Sequence, residues 1–205
     1  MSGIAGSFRL MDHGSSSDAI AELRSAVRAL THRGPDDSGE WSDQRAGISL
    51  GHRRLSVVDL SHRGHQPMIS RDGRFVLSYN GEVYNAPSLK GSLSQMGITF
   101  KSRSDTEVLV EAISNWGLRK TLTALNGMFA LAVWDRKDRC LHLARDRFGQ
   151  KPIYYAWAGK SLVFGSELAA IKEFRNFPAN INRDAISLLL RHSSVPAPHT
   201  IYLDC

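Results

Sequence analysis

The run MFALAVWD at 128–135 constrains the fold more than any other stretch of the chain. A strand wetted on one side alternates apolar and polar side chains. This one is apolar on both faces, which predicts a strand sandwiched between two further layers. The charged turn RKDR (136–139) and a second apolar run, CLHLARD (140–146), make it the first arm of an antiparallel hairpin. Two more hairpins are legible. One covers 68–79, with Arg71-Asp72-Gly73 as the turn before RFVLSY, and the other joins PIYYAW to SLVFGS through AGK over 152–166. IAGSF (4–8) reads as a short strand, with strand-like pieces at 46–50 and 55–59.

Helical spacing separates these strands. Ile20, Leu23, Val27 and Leu30 follow the N-cap candidates Ser16, Ser17 and Asp18. That helix stops before Arg33-Gly34-Pro35, which leads into an acidic turn, Asp36-Asp37-Ser38-Gly39. Pro87 opens a helix through Leu89, Leu93 and Met96, and a clearer one spans 105–116 with Val108, Leu109, Ala112, Ile113 and Trp116 on one stripe. Shorter helices are expected near 167–174 and 182–191. Antiparallel hairpins with helices grouped between them predict an α+β fold rather than a parallel βαβ sheet. The 205 residues suit one large domain, taken as 1–190, and Pro196 and Pro198 mark 191–205 as the start of a linker.

Composition excludes several functions. The net charge of +6 comes from 26 Lys+Arg against 20 Asp+Glu. The basic residues are scattered, and the clusters at 52–54 and 144–151 are broken by acids, Gly and aromatics, so nucleic acid is not an expected partner. No apolar run is long enough to span a membrane, and the first residues lack a secretory signal, which makes the cytoplasm the expected compartment. Cys140 and Cys205 form no CxxC pair and suggest neither a disulfide framework nor a zinc site. Cys140, inside an apolar run, reads as a buried thiol. No GxGxxG or GxxxxGK[ST] occurs, so dinucleotide and P-loop readings have no support.

Few residues carry chemistry on their own terms. Ser2 becomes terminal if Met1 is removed, which its small side chain permits. An α-amine titrates near ~7.7–8.0, so a terminal Ser, Thr or Cys brings a general base to its own side chain. Asn80-Gly81 follows the strand RFVLSY, where a side-chain amide and a backbone N–H can form an oxyanion hole. The same dipeptide is also the favoured two-residue hairpin turn. Arg54, Glu82 and Asp105 fit either surface ion pairs or a clamp on a free amino acid, the guanidinium taking the α-carboxylate and the carboxylates the α-ammonium. Asp105 also suits the start of its helix.

SGIAG at 2–6 resembles the CGIxG start of class II glutamine amidotransferases, which are N-terminal-nucleophile hydrolases. HRGPDDSG (32–39), GHRRLSVVDLS (51–61), HQPM (65–68), YNGEVYN (79–85) and SDTEVLV (104–110) are similar to the asparagine synthase branch. So are LNGMFALAVWD (125–135), ARDRFGQKPIYY (144–155), FGSELAAI (164–171) and VPAPHTIY (195–202). The resemblance covers essentially the whole chain, in order. It implies a four-layer αββα sandwich with the nucleophile at the mouth between two antiparallel sheets. It further implies that Arg54 holds the glutamine α-carboxylate, that Asn80 and Gly81 form the oxyanion hole, and that Glu82 and Asp105 bind the α-amino group. Leu55 and Val57 would complete the pocket. In the mechanism it implies, residue 2 attacks the glutamine side-chain amide, ammonia leaves, and water releases glutamate.

Two departures stand out. The nucleophile position holds Ser2 where the family has cysteine, and an alcohol is far less acidic than a thiol. An engineered substitution, a natural loss of glutaminase function and a retained weak serine hydrolase all remain open, as does a non-catalytic glutamine-binding or structural module. The second departure is that no SGGxDS-type ATP-pyrophosphatase loop is present. ATP and magnesium are therefore expected in a synthetase domain, supplied in cis or in trans, and no cofactor is expected in this chain. The acceptor of the ammonia and a possible homodimer are left open.

Overall fold

The computed structural model describes residues 1–9, 16–57 and 59–205. Nine strands and six helices follow in order: β1 (Gly3–Arg9), α1 (Ser16–Ala29), β2 (Asp37–Asp43), β3 (Ile48–Arg54), β4 (Met68–Ile69), β5 (Phe75–Val83), α2 (Ala86–Gln95), α3 (Asp105–Trp116), α4 (Leu118–Ala124), β6 (Gly127–Asp135), β7 (Cys140–Arg145), β8 (Tyr154–Ala158), β9 (Ser161–Gly165), α5 (Leu168–Ile171) and α6 (Arg183–His192). A short 3-10 turn covers His62–Gly64. Two antiparallel sheets result, β2-β3-β1-β9-β8 and β4-β5-β6-β7.

The period of two along each strand distributes side chains among three apolar layers. On β5, Phe75, Leu77, Tyr79 and Val83 join Phe129, Leu131 and Val133 of β6 against α2 and α3. The alternate residues Val76, Ala130, Ala132 and Trp134 meet Ile4, Ile48, Leu50 and Phe164 of the other sheet. Beyond that sheet, Ala5 and Val163 pack on Ala26 of α1, on Leu30 just past its end, and on Ala170 and Ile171 of α5. Helices, sheet, sheet, helices: this is the expected four-layer α+β sandwich. MFALAVWD is buried on both faces as its pattern predicts, lying between the helical layer and the second sheet. No described helix is long and apolar enough to cross a membrane.

Several local expectations are corrected. Asp37–Asp43 is strand β2, not a turn, because its backbone pairs with β3 from Asp37↔Arg54 to Asp43↔Ile48. The piece expected at 46–50 continues to Arg54, since Gly51 gives Val27 and Leu23 of α1 room against the strand. The piece expected at 55–59 is not a strand: the chain leaves the sheet after Arg54, and Leu55 and Val57 are exposed despite being apolar. Asn80-Gly81 is no turn either. It lies within β5, paired with Ala130 and Phe129, and the long ladder with β6 overrides the local signal. Cys140 is exposed because β7 is an edge strand. The helix expected over 167–174 is a single turn, α5. Asp18 lies in the first turn of α1, whereas the side chains of Ser16 and Ser17 are outside the described residues. The segment 191–205 returns to the domain, where Ile201 O accepts from Asn182 N at 2.9 Å and the Tyr202 ring meets Phe177 edge-on at 5.3 Å.

Candidate active site

The site lies where the two sheets end together. β1 and β3 run antiparallel with Gly3 opposite Arg53, which sets Ser2 beside Arg54 at the end of the five-stranded sheet. Alternation puts Ser2 on the same face as Ile4, and Arg54 on that of Ile48, Leu50 and His52, the face turned toward the second sheet. On β5 the same parity places Ser78 and Asn80 with Val76 on the inner face. Two hydrogen bonds pin these strands together. His52 Nε2 lies 3.0 Å from Tyr79 O, and Ser78 Oγ donates to Gly51 O at 2.9 Å. Burial drives His52 down to about 3, so it is neutral at ordinary pH and its Nε2–H is the donor.

Around this mouth, Ser2 Oγ accepts a hydrogen bond from the Leu55 backbone N–H at 3.2 Å. Leu55 thus contributes through its backbone, while Val57 lies two residues further on the same loop with its side chain 74% exposed. Asn80 is buried, and its Nδ2 has no hydrogen-bond partner. An unpaired buried amide donor is costly, by about 1–3 kcal/mol, and such groups are rare. Gly81 is sterically required, since a Cβ there would run into Met128 O and Phe129 Cα of β6. Phe129 spends its N–H and its carbonyl on Asp146, so Gly81, across the ladder, aims its own N–H away from β6. That is the side on which Gln66 Oε1 accepts the Tyr79 N–H at 2.7 Å.

Asp105 ties the start of α3 to the same corner. Its Oδ2 accepts from Tyr79 Oη at 2.8 Å and from Val83 N at 3.0 Å. Burial, and then the Asp105 charge, push the Tyr79 phenol far above its ordinary range. Ser104 caps the helix by accepting from Thr106 N, and Asp105 is its first residue. Glu82 is exposed at the rim, one residue from Gly81. Arg54 is buried, but its fork is turned into its own loop, with Nη1 donating to Ser61 O at 2.8 Å and Nη2 to Asp59 O. Among the described residues these two bonds use two of its five N–H donors. Asp59 in turn accepts from Ser61 N, Ser61 Oγ and Arg103 N, bonds that hold its carboxyl down to about 2. Ser2, Arg54, Leu55, Asn80, Gly81 and Asp105 therefore gather at one end of the sandwich, while the Val57 side chain points to solvent.

Sequence reading missed three groups that grip the amino terminus. Arg33 is buried and donates through Nε to Ser2 O at 3.0 Å and through Nη1 to Glu167 Oε1 at 2.8 Å, while its Nη2 is buried without a partner. Burial pushes Glu167 up, but the bonds from Arg33 and His32 outweigh it and hold the carboxyl below its ordinary range. Lys151, buried on the β7–β8 connection, reaches Met1 Sδ at 3.4 Å. The available signal was Gly34, read as a helix stop. It has no side chain because the Arg53–Arg54 backbone lies against it, which carries Arg33 alongside β1. Together these groups form a held hydroxyl, an orphaned inward donor beside a backbone N–H turned away from β6, and acidic and basic side chains around them. That constellation suits acyl transfer from a polar amide.

Comparison with known proteins agrees with this chemistry. A family model described as a glutamine amidotransferase domain matches residues 1–205. The chain is 41% identical over 160 residues to asparagine synthetase [glutamine-hydrolyzing] 3 of Bacillus subtilis, covering 77% of this chain and 25% of that protein. It is 33% identical over 201 residues to asparagine synthetase [glutamine-hydrolyzing] 1 of the same organism, covering 98% of this chain and 31% of that one. The chain thus spans a third or less of these curated relatives. Among solved structures, the glutamine phosphoribosylpyrophosphate amidotransferase of B. subtilis superposes with a TM-score of 0.69 at 22% identity, over 83% of this chain and 43% of that chain. At that identity the likeness is one of fold.

Proposed function

The chain belongs to the glutamine amidotransferase domain family, and on that premise we propose that it hydrolyses the side-chain amide of glutamine to glutamate and ammonia. The observation that carries this reading is the unpaired Asn80 Nδ2, a buried donor facing inward at the end of the sandwich that holds Ser2. In the proposed reaction Met1 has been removed, and the α-amine of Ser2 takes the proton from its own Oγ. Oγ forms a bond to the glutamine Cδ, and the carbonyl oxygen, now negative, is met by Asn80 Nδ2 and the Gly81 N–H. The C–N bond breaks, and the amine returns its proton to the departing ammonia. Water, deprotonated by the same amine, then cleaves the γ-glutamyl ester. Asp105 and Glu82 hold the α-ammonium, and Arg54 holds the α-carboxylate with the N–H groups its loop leaves over.

No cofactor is needed for these steps. Ammonia would pass to a synthetase domain, in cis or in trans, that uses ATP and magnesium, with aspartate as one candidate acceptor, in the cytoplasm. The test is mass spectrometry of the Met1-processed protein after exposure to a γ-electrophilic glutamine analogue, alongside an assay of glutamate release. An adduct on the N-terminal tryptic peptide, Ser2–Arg9, is expected. Ser2→Cys should raise turnover on the order of 10², the scale of a misplaced attack. Neither adduct nor glutamate from either form would leave a glutamine-binding module instead of an enzyme.

A further inference from the structure

The proposed reaction needs the Ser2 α-amine unprotonated near neutral pH, and the charges around the amino terminus bear on that. A buried ammonium is ordinarily paired with a carboxylate or a set of carbonyls. Among the described residues, Lys151 Nζ instead has the Met1 thioether as its hydrogen-bond partner, a weak acceptor. Its position is not a loose surface one. Asp146 Oδ2 accepts from the Lys151 and Phe129 backbones at 3.1 and 3.2 Å, and Oδ1 accepts from Phe148 and Gln150 at 3.1 and 3.0 Å. Phe129 stands opposite Gly81, so one carboxylate fixes the lysine to β6, the strand paired with the one that bears Asn80 and Gly81.

Loss of Met1 removes the thioether and leaves the ammonium beside the new terminus. The other charged groups there are Arg33, Glu167, Asp36 and Arg54. Arg33 bonds Ser2 O, Glu167 is taken up by Arg33 and His32, and Asp36 is engaged by Ser56 N at 2.7 Å. Arg54 lies opposite Ser2 with its fork turned into its loop. With Arg33 and Glu167 paired to each other, the cations Lys151 and Arg54 outnumber the remaining acid, Asp36. In the unprocessed chain the Met1 amine already lies below its ordinary value, through burial first and then Arg33 and Lys151, with Asp36 opposing.

We infer that Lys151 is a positioning residue of this reaction: its ammonium, set against the terminal amine, disfavours further positive charge there and leaves the amine free to accept the Ser2 hydroxyl proton. This rests on the glutaminase reading, so the test reads the amine itself. The pH dependence of acetylation of the Ser2 amine by acetic anhydride is measured on the Ser2–Arg9 peptide, in protein shown by mass to lack Met1. Lys151→Met should move the acetylation midpoint to higher pH, and Lys151→Arg should leave it at the parent value. Each unit of displacement costs about tenfold in free amine on the acid side. Replacing a poorly paired buried charge by an apolar chain of similar length is commonly neutral for folding, and a thermal melt checks that.

An unmoved midpoint in folded Lys151→Met overturns the inference and leaves the glutaminase reading standing. A moved midpoint in a protein that neither hydrolyses glutamine nor takes the analogue overturns the glutaminase reading alone. Retention of Met1 in the isolated protein overturns both.

Discussion

Asn80→Ala separates a catalytic amide from an ordinary strand residue, because stability and turnover should move independently. In the folded chain Asn80 is 2% exposed and its Nδ2 is unpaired, a liability of roughly 1–3 kcal/mol. Truncation relieves that cost and opens a carboxamide-sized void, which at ~24 cal/mol per Å³ costs about 1 kcal/mol. The two nearly cancel, so chemical denaturation should show a midpoint unchanged or slightly raised. Turnover should fall by about 10²–10³, or ~2.7–4 kcal/mol of barrier, if the amide meets the oxyanion. Both quantities are to be read in the parent and again with Ser2→Cys, where glutamate release is faster and easier to quantify, and glutamine affinity by calorimetry should hardly change. Normal glutamate release would refute the reasoning, as would a loss of more than about 2 kcal/mol of stability, since a well-paired structural amide is the group that truncation destabilises.

Arg54→Ala should weaken glutamine binding by roughly 2–5 kcal/mol. It should also loosen residues 55–64, because the fork bonds Asp59 O and Ser61 O, and hydrogen exchange of that loop alongside calorimetry reads both effects. Asp59 titrates at about 2 in the folded chain, below the ~3.9 of an unfolded aspartate. Its contribution is therefore full above the unfolded value and is lost as pH falls toward the folded one. Exchange in the loop should rise between about pH 4 and about pH 2, and Asp59→Asn should abolish that step. His52→Gln, which keeps an N–H near Tyr79 O, should retain much of the turnover, whereas His52→Phe should lose on the order of 10² with its binding constant little changed.

The layered fold was legible because it is written in local pattern. MFALAVWD is apolar at both parities, and only a strand between two layers satisfies that. Where long-range pairing competes with local signal, the pattern misleads. DSGEWSD has the composition of a turn and becomes a strand only because β3 offers it a ladder. Asn80-Gly81 has the composition of a hairpin and is straightened by nine consecutive pairs with β6. Leu55 and Val57 look like strand residues but follow Arg54 out of the sheet, and Arg54 bonds backbone carbonyls of that departing loop. The amino-terminal grip could not be read from spacing at all. Arg33, Lys151 and Glu167 are far apart in sequence and converge only after β1 is enclosed between β3 and β9.

The two halves of the candidate site ride on different sheets. Ser2, Arg54 and Leu55 belong to the end of the five-stranded one, and Asn80 and Gly81 to the four-stranded one. The apolar layer between them attracts without direction, so by itself it tolerates small slippage of one sheet over the other. The directional contacts, His52 to Tyr79 O and Ser78 to Gly51 O, lie one or two residues from the groups proposed to meet glutamine, where slippage would matter most. A histidine in this place invites assignment as the general base. Its buried ring titrates at about 3 and spends its Nε2–H on a carbonyl, so it holds geometry over the whole working pH range and is not the base of the proposed reaction. The proton must then be moved by a group that can titrate at the mouth. The freed amine of Ser2 is such a group, and it is carried by the same residue as the hydroxyl it would serve.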